Sequence, residues 1–166
     1  MKDNIVLIGM PGVGKSTAGV ILAKLIGYQF VDSDLEIQRQ ENRLLKEIIE
    51  QEGVDGFLAI ENRVNSQLNP RHAVVATGGS AVYGEEAMRH LKEIATVVYL
   101  RVPFPVLDSR LSDIKGRGVT LREGQTLYDL FEERRPLYER YADLIIDETA
   151  ESSIEYTVSE IVSKLP

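Results

Sequence analysis

The chain contains no cysteine, which excludes a disulfide framework, a thiolate metal site and a thiol nucleophile together. Its two histidines, His72 and His90, stand in no ligand spacing and read as structural. No apolar run approaches the ~18 residues needed to span a bilayer. The short run near the start follows Lys2 but is interrupted by Asp3, so it reads as a first strand rather than a signal peptide. Positive charge is in deficit: 19 Lys and Arg against 26 Asp and Glu give a formal net charge of −7. That balance argues against nucleic acid or an anionic membrane as partner, since both need a basic surface. Any anionic small molecule must then be drawn in by a local basic cluster. No repeat, low-complexity tract or Pro/Gly-rich linker divides the 166 residues, which suit one domain with a sizeable core. These absences fit a cytoplasmic protein, expected to act as a monomer.

What is present is concentrated near the beginning. Gly9-Met10-Pro11-Gly12-Val13-Gly14-Lys15-Ser16, followed by Thr17, fits G-x-x-x-x-G-K-[ST] and comes directly after the apolar run Ile5-Val6-Leu7-Ile8. Glycines let such a loop curl so that its N–H groups point inward at phosphate oxygens. A following helix adds its positive end to the same anion hole. In this pattern Lys15 reaches the β- and γ-phosphates and the Ser16 hydroxyl ligates Mg²⁺. Ala18, Ile21, Leu22 and Leu25 recur at helical spacing, predicting one apolar stripe laid on a sheet, with Gly27 as the stop. Strand, phosphate loop and amphipathic helix make the first unit of an α/β nucleotide-binding fold.

Four more short apolar segments, 28–31, 73–76, 96–100 and 144–146, predict buried strands of a parallel sheet covered on both faces. Helical stretches between them give right-handed β-α units. Residues 34–68 hold two or three helices, more than one crossover needs, which points to a small helical subdomain beside the site. Residues 112–124 have no sustained period and contain three glycines; they read as a mobile loop, in functional terms a lid over bound nucleotide.

A phosphate loop alone also suits a GTPase, a motor or an ATP-driven switch. Val31-Asp32-Ser33-Asp34 narrows the choice. In extended chain residues i and i+2 point to the same side, so Asp32 and Asp34 face the same way, at the carboxyl end of a strand where open α/β sheets bind ligands. One carboxylate could hold Mg²⁺ through water and the other orient or deprotonate an attacking hydroxyl; capping of the next helix by Asp34 is the structural alternative. Thr77-Gly78-Gly79-Ser80 falls on the same side, its paired glycines permitting close approach by a small molecule. Phosphoryl transfer needs positive groups around the equatorial oxygens, and the candidates are Lys15, Arg110, Arg117, Arg134 and Arg135.

Taken in order, these residues resemble the shikimate kinases, small P-loop enzymes related to the nucleoside-monophosphate kinases. The resemblance runs nearly the whole chain, through the phosphate loop, Asp32-x-Asp34, Gly53 to Glu61, Ala76-Thr77-Gly78-Gly79, Arg110-Leu111, Arg117 and Arg134-Arg135-Pro136-Leu137-Tyr138. It implies a three-layer α/β/α fold with five parallel strands ordered 2-3-1-4-5, a helical substrate-binding subdomain and a lid. It implies ATP- and Mg²⁺-dependent transfer of the γ-phosphoryl group to a ring hydroxyl of shikimate. Gly12, Val13, Gly14, Lys15, Ser16 and Thr17 hold the phosphates, Arg110 lies against adenine, and Arg117 swings in to the phosphates. Asp34, Gly78, Gly79, Ser80 and Arg134 face the acceptor, with Asp34 as base and Arg134 on its carboxylate. Ser16 ligates Mg²⁺ directly and Asp32 through water.

The chain departs from that pattern in three places. The Phe of the substrate helix, Phe57, is followed by Leu58 where the family has Arg; Ser80 replaces a third glycine; and the lid reads Arg117-Gly118-Val119 rather than Arg-Pro-Leu. A hydrogen bond between charged groups contributes about 1.5–3 kcal/mol, so losing the guanidinium at position 58 is expected to weaken carboxylate binding roughly 10–100-fold. Phe57, Ile60, Val64 and Leu68 form an apolar face that Leu58 extends. Arg63 lies some 140° around the helix from it, leaving Arg135 as the better substitute. Two alternatives stay open: the same chemistry on another small hydroxylated acid or polyol, and a nucleotide-binding protein without turnover. If the lid role is right, Arg117→Ala depresses kcat by one or more orders of magnitude in a steady-state assay; a wild-type rate returns Arg117 to the surface.

Overall fold

The computed structural model describes residues 2–112 and 122–166. Its elements run β1 (Asn4–Ile8), α1 (Lys15–Ile26), β2 (Gln29–Asp32), α2 (Ser33–Glu41), α3 (Leu45–Ser66), β3 (Ala73–Ala76), a 3₁₀ turn (Ala81–Tyr83), α4 (Glu85–Ile94), β4 (Ala95–Arg101), α5 (Phe104–Ser112), α6 (Leu127–Tyr141), β5 (Leu144–Asp147) and α7 (Ile154–Lys164). The five strands form one parallel sheet in the order β2-β3-β1-β4-β5, the order that the resemblance implies. All five expected strands are present, each shifted or lengthened by a residue or so except β3. Every residue of β1 and β3 is buried, which requires helices on both faces and accounts for their unbroken apolar character. Asn4 is the polar exception. Its Nδ2 donates to the carbonyls of Pro70 (3.0 Å) and Ile94 (3.1 Å), and its Oδ1 accepts from Ala73 N (2.9 Å), stitching together the starts of three chain segments.

Strand order 3-1-4 puts β1 in the centre, so the chain leaves in opposite directions on either side of it. The crevice lies there, beyond the carboxyl ends of the strands. Thr77 closes the β3 end by donating from Oγ1 to the Leu7 carbonyl (2.8 Å). The stretch from 33 to 66 holds α2 and α3, and α3 is broken at Gly53 (φ 74°, ψ 176°) into two helical pieces. Two or three helices were expected there, and this arrangement is that. A second, smaller apolar cluster of Ile37, Ile48, Phe57 and Val64 holds these helices together.

The apolar stripe expected on α1 is only half right. Ala18 and Leu22 are buried, but Ile21 and Leu25 are 42% and 64% exposed. The buried face is instead Lys15, Ala18, Gly19, Leu22 and Ala23. Small residues on that face bring the helix close to the sheet: a Cβ built on Gly19 lies 2.7 Å from Phe30 Cε1. The helix is therefore rolled so that Ile21 and Leu25 turn toward Val158 and Val162 of α7. Gly27 does stop the helix, in the left-handed conformation at φ 75°. Residues 113–121 of the expected lid, Arg117 among them, lie outside the described residues. Because α1 carries the phosphate-binding end, its seating matters for the site. Gly19→Val is expected to destabilise the fold by about 1–3 kcal/mol through overpacking against Phe30, read as a lowered midpoint in urea unfolding.

Candidate active site

The phosphate loop takes the shape its glycines permit. Gly12 and Gly14 sit at φ 82° and 91°, values that an L side chain rarely adopts, and Gly14 caps the start of α1 with no side-chain partner for the helix. The first N–H groups of α1 are left to face the crevice. Lys15 is buried, and its Nζ donates back to the carbonyls of Gly9 (2.6 Å) and Met10 (2.8 Å). Burial lowers its pKa to about 7, opposed by the charge of Asp34, while the Arg134 charge lowers it further. An anion arriving in the loop stabilises the protonated form.

Asp32 and Asp34 both reach this place, but not as neighbours on an extended strand. Helix α2 begins at Ser33, and Asp32 is its N-cap: Oδ1 accepts from the backbone N–H of Asp34 (2.9 Å) and of Leu35 (3.3 Å). The helix cap is thus Asp32 rather than Asp34, because the strand ends at Asp32, two residues short of what the extended reading needs. Asp32 Oδ2 remains directed at Ser16, whose Oγ donates to it at 3.5 Å. Among the described residues no group of three or more His, Asp or Glu could hold a metal ion. A hydroxyl and one carboxylate oxygen side by side fit a hard cation that takes the rest of its shell from phosphate and water, as Mg²⁺ does. Asp34, in the first turn of α2, projects into the crevice. Its pKa is raised to about 6, chiefly by burial and then by the Asp32 charge, with Lys15 pulling the other way.

Opposite Asp34 lies the turn after β3. A Cβ on Gly78 would sit 2.7 Å from Asp34 Oδ1, and one on Gly79 would sit 2.8 Å from both Arg134 Nη1 and Pro11 Cδ. The paired glycines are there because side chains from three other elements close on the backbone. Tyr138 Oη donates to the Gly79 carbonyl (2.6 Å) and fixes the turn against α6. One turn earlier on α6, Arg134 is 2% exposed. The result is one cavity of about 430 Å³ shared by Pro11, Gly12, Gly14 and Lys15 to Thr17 of the loop, by Asp34, by Gly78 to Ser80, and by Arg134, with Leu45, Ile49 and Phe57 as an apolar wall. It can hold an anion in the loop, a hydroxyl at Asp34 and a carboxylate at Arg134 at the same time.

The sequence reading did not single out Glu61 for the site. It is buried beside Gly78, and its Oε1 accepts from Ser80 Oγ (2.7 Å), so Ser80 faces Glu61. Glu61 Oε2 is buried without a partner among the described residues. Burial raises its pKa to about 7, the Ser80 hydrogen bond opposing and the Asp34 charge adding. The signal was legible in hindsight: Phe57, Glu61, Val64 and Asn65 form the buried face of α3, and a glutamate on an apolar helix face requires a partner. The expected face of Phe57, Ile60, Val64 and Leu68 holds for Phe57 and Val64; Ile60 is only partly buried and Leu68 joins the main core.

Leu58 packs on the small cluster around Phe57 and lines a side crevice with Tyr83, Arg122 and Arg134 rather than the main cavity. Arg135 does not replace a guanidinium there; it is on the outer face of α6, paired with Glu132 (3.3 Å) and Glu139 (3.6 Å). Arg63 pairs with Glu41 (2.7 Å). Val13 is buried and outside the cavity lining. Arg110, in the last turn of α5, is away from the cavity lining, beside the carboxylate of Glu148.

A buried carboxylate with a raised pKa makes a stability statement. The folded state binds the Asp34 proton more tightly than the unfolded chain, so stability falls as pH rises between about 4 and 6, and at pH 7 the full penalty is present, on the order of 2–3 kcal/mol. Asp34→Asn is therefore expected to raise the thermal midpoint at pH 7 but not at pH 4, while lowering kcat by at least 10²-fold; equal midpoint shifts at both pH values contradict the assigned burial penalty.

The sequence and the structure are similar to those of known proteins over almost their full length. The family model described as shikimate kinase matches residues 11–166. The shikimate kinase of Pasteurella multocida is 39% identical, covering 97% of this chain and 94% of that one, and that of Persephonella marina is 34% identical over 98% of both. Among solved structures, shikimate kinase from Acinetobacter baumannii in complex with shikimate superposes with a TM-score of 0.86 at 36% identity, covering 98% of this chain and 95% of that one. With the phosphate loop, Asp34 and Arg134 lining one cavity and a family model matched over most of the chain, this chain belongs to the shikimate kinase family.

Proposed function

We propose that this protein transfers the γ-phosphoryl group of ATP to a ring hydroxyl of shikimate, yielding shikimate 3-phosphate for aromatic amino acid biosynthesis in the cytoplasm. The observation that carries the reading is the shared cavity: phosphate-loop residues, Asp34 and Arg134 line one space. Each role follows from what the residue can do. The loop N–H groups and Lys15 neutralise the phosphates, with Thr17 also at the loop rim. Mg²⁺, held by Ser16 and through water by Asp32, supplies charge neutralisation on the phosphates when bound. Asp34, with a pKa near 6, is ionised at neutral pH yet basic enough to take the proton of an attacking hydroxyl. Arg134 offers a fork to the acceptor carboxylate, and Leu45, Ile49 and Phe57 suit a ring face. In the same reading residues 34–68 form the substrate-binding part, residues 112–124 the lid, Arg117 meets the phosphates, Arg110 meets adenine, and the protein acts as a monomer.

A second reading has one observation in its favour. Arg134 is the one guanidinium among the described residues of the cavity, since Leu58 lies outside it. A small hydroxylated acid or polyol with less demand for a doubly held carboxylate fits that lining too. Coupled ADP release under fixed ATP and Mg²⁺, screened over shikimate, quinate, gluconate and simple polyols, decides between them. Shikimate-dependent turnover is expected, with kcat/KM for shikimate falling below about pH 6 as Asp34 becomes protonated. Turnover only with another acceptor moves the assignment to that substrate. A profile flat from pH 5 to 8 removes Asp34 as the base.

A further inference from the structure

Arg134 can receive a carboxylate well only if its flat guanidinium is held in one orientation, and the chain supplies a device for that. The described ion pairs of its neighbourhood on α6 belong to Arg135. Arg134 instead donates from Nε to Tyr83 Oη at 3.4 Å, with its guanidinium carbon 5.4 Å from the Tyr83 ring centroid. Tyr83 closes the 3₁₀ turn that follows Ser80. Its own hydroxyl proton goes to Glu133 Oε1 at 2.6 Å.

That last bond sets the sense of the other. A phenol has one proton and can present lone pairs to Arg134 only if the proton points elsewhere. Glu133 takes it, and its second oxygen accepts from Gln125 Nε2 (3.1 Å), which fixes the carboxylate in turn. Glu133 and Arg134 are consecutive on α6, so their side chains leave the helix about 100° apart, and Tyr83 bridges them. Burial and Glu133 both push the Tyr83 phenol upward in pKa, so it stays a donor at neutral pH. With Nε engaged at Tyr83, the terminal nitrogens of a guanidinium that lines the cavity are its donors for a carboxylate.

We propose that Tyr83 and Glu133 are positioning residues for Arg134: Glu133 orients the Tyr83 hydroxyl, which anchors Nε and turns the terminal edge of the guanidinium into the cavity to receive the acceptor carboxylate. The inference rests on the assignment of Arg134 to that carboxylate and gives the chain a means of selecting carboxylate-bearing acceptors where Leu58 offers no second cation.

The test is a double-mutant cycle with Tyr83→Phe, which keeps the ring under the guanidinium and removes only the oxygen, and Glu133→Gln. Each is expected to raise KM for shikimate about five- to tenfold, the loss of one hydrogen bond, with kcat within about twofold and KM for ATP unchanged. The double variant is expected to be no worse than Tyr83→Phe, since Glu133 acts through the phenol. Preference for shikimate over its carboxamide narrows by the same factor. An unchanged KM, multiplicative losses in the double variant, or a fall in kcat of the same size overturns the proposal. If the wild-type protein does not phosphorylate shikimate, the functional assignment fails, and the device is read without substrate from the Nε–H resonance of Arg134 in protein carrying ¹⁵N-arginine. A shift of that resonance in both single variants supports the relay, and a resonance unmoved in either overturns it.

Discussion

Lys15, Asp34 and Arg134 line one cavity, Glu61 is buried behind its Ser80 wall, and the charges of these four groups act on one another. Burying any single one would cost several kcal/mol without compensation; two cations against two carboxylates make the set tolerable. The same desolvation raises the pKa of Asp34 to about 6 and of Glu61 to about 7 and lowers that of Lys15 to about 7. Lys15, bound to its own loop carbonyls, is satisfied at rest and has phosphate oxygens as its alternative acceptors.

The rest of the molecule serves to bring these four together. Strands β1, β3 and β2 end side by side, so the loop after β1, the glycine turn after β3 and the α2 start after β2 open on one crevice. Close approach is bought with glycine at Gly19, Gly78 and Gly79, where a Cβ would meet Phe30, Asp34 or Arg134. Tyr138 then ties α6, and with it Arg134, to the glycine turn. Beside these charged groups, Leu45, Ile49 and Phe57 make an apolar wall.

Much of this was legible in the residues. The phosphate loop could be read because its needs are local: positive φ at Gly12 and Gly14 and a helix start behind them. Strands could be read because β1 and β3 are buried on both faces and so carry no alternation. The α1 face could not, since whether Ile21 or Gly19 meets the sheet depends on how closely the helix is allowed to approach. Asp32 and Asp34 both reach the crevice, but as a helix cap and a first-turn residue rather than as an extended pair, because the strand stops two residues before Asp34. Arg135 is no substitute cation: adjacent side chains on a helix diverge by about 100°, so Arg134 turns inward while Arg135 pairs with Glu132 and Glu139.

What the sequence determined by itself is the part of the protein set by short-range rules: the phosphate-gripping loop, the apolar strands and the order of motifs that marks the family. Tertiary structure alone decided which distant groups meet. The Glu61–Ser80 bond spans 19 positions and the Tyr83–Glu133 bond spans 50, and no periodicity encodes such pairings. They arise because folding excludes water from one crevice, and each polar group left inside must find its partner wherever in the chain that partner lies.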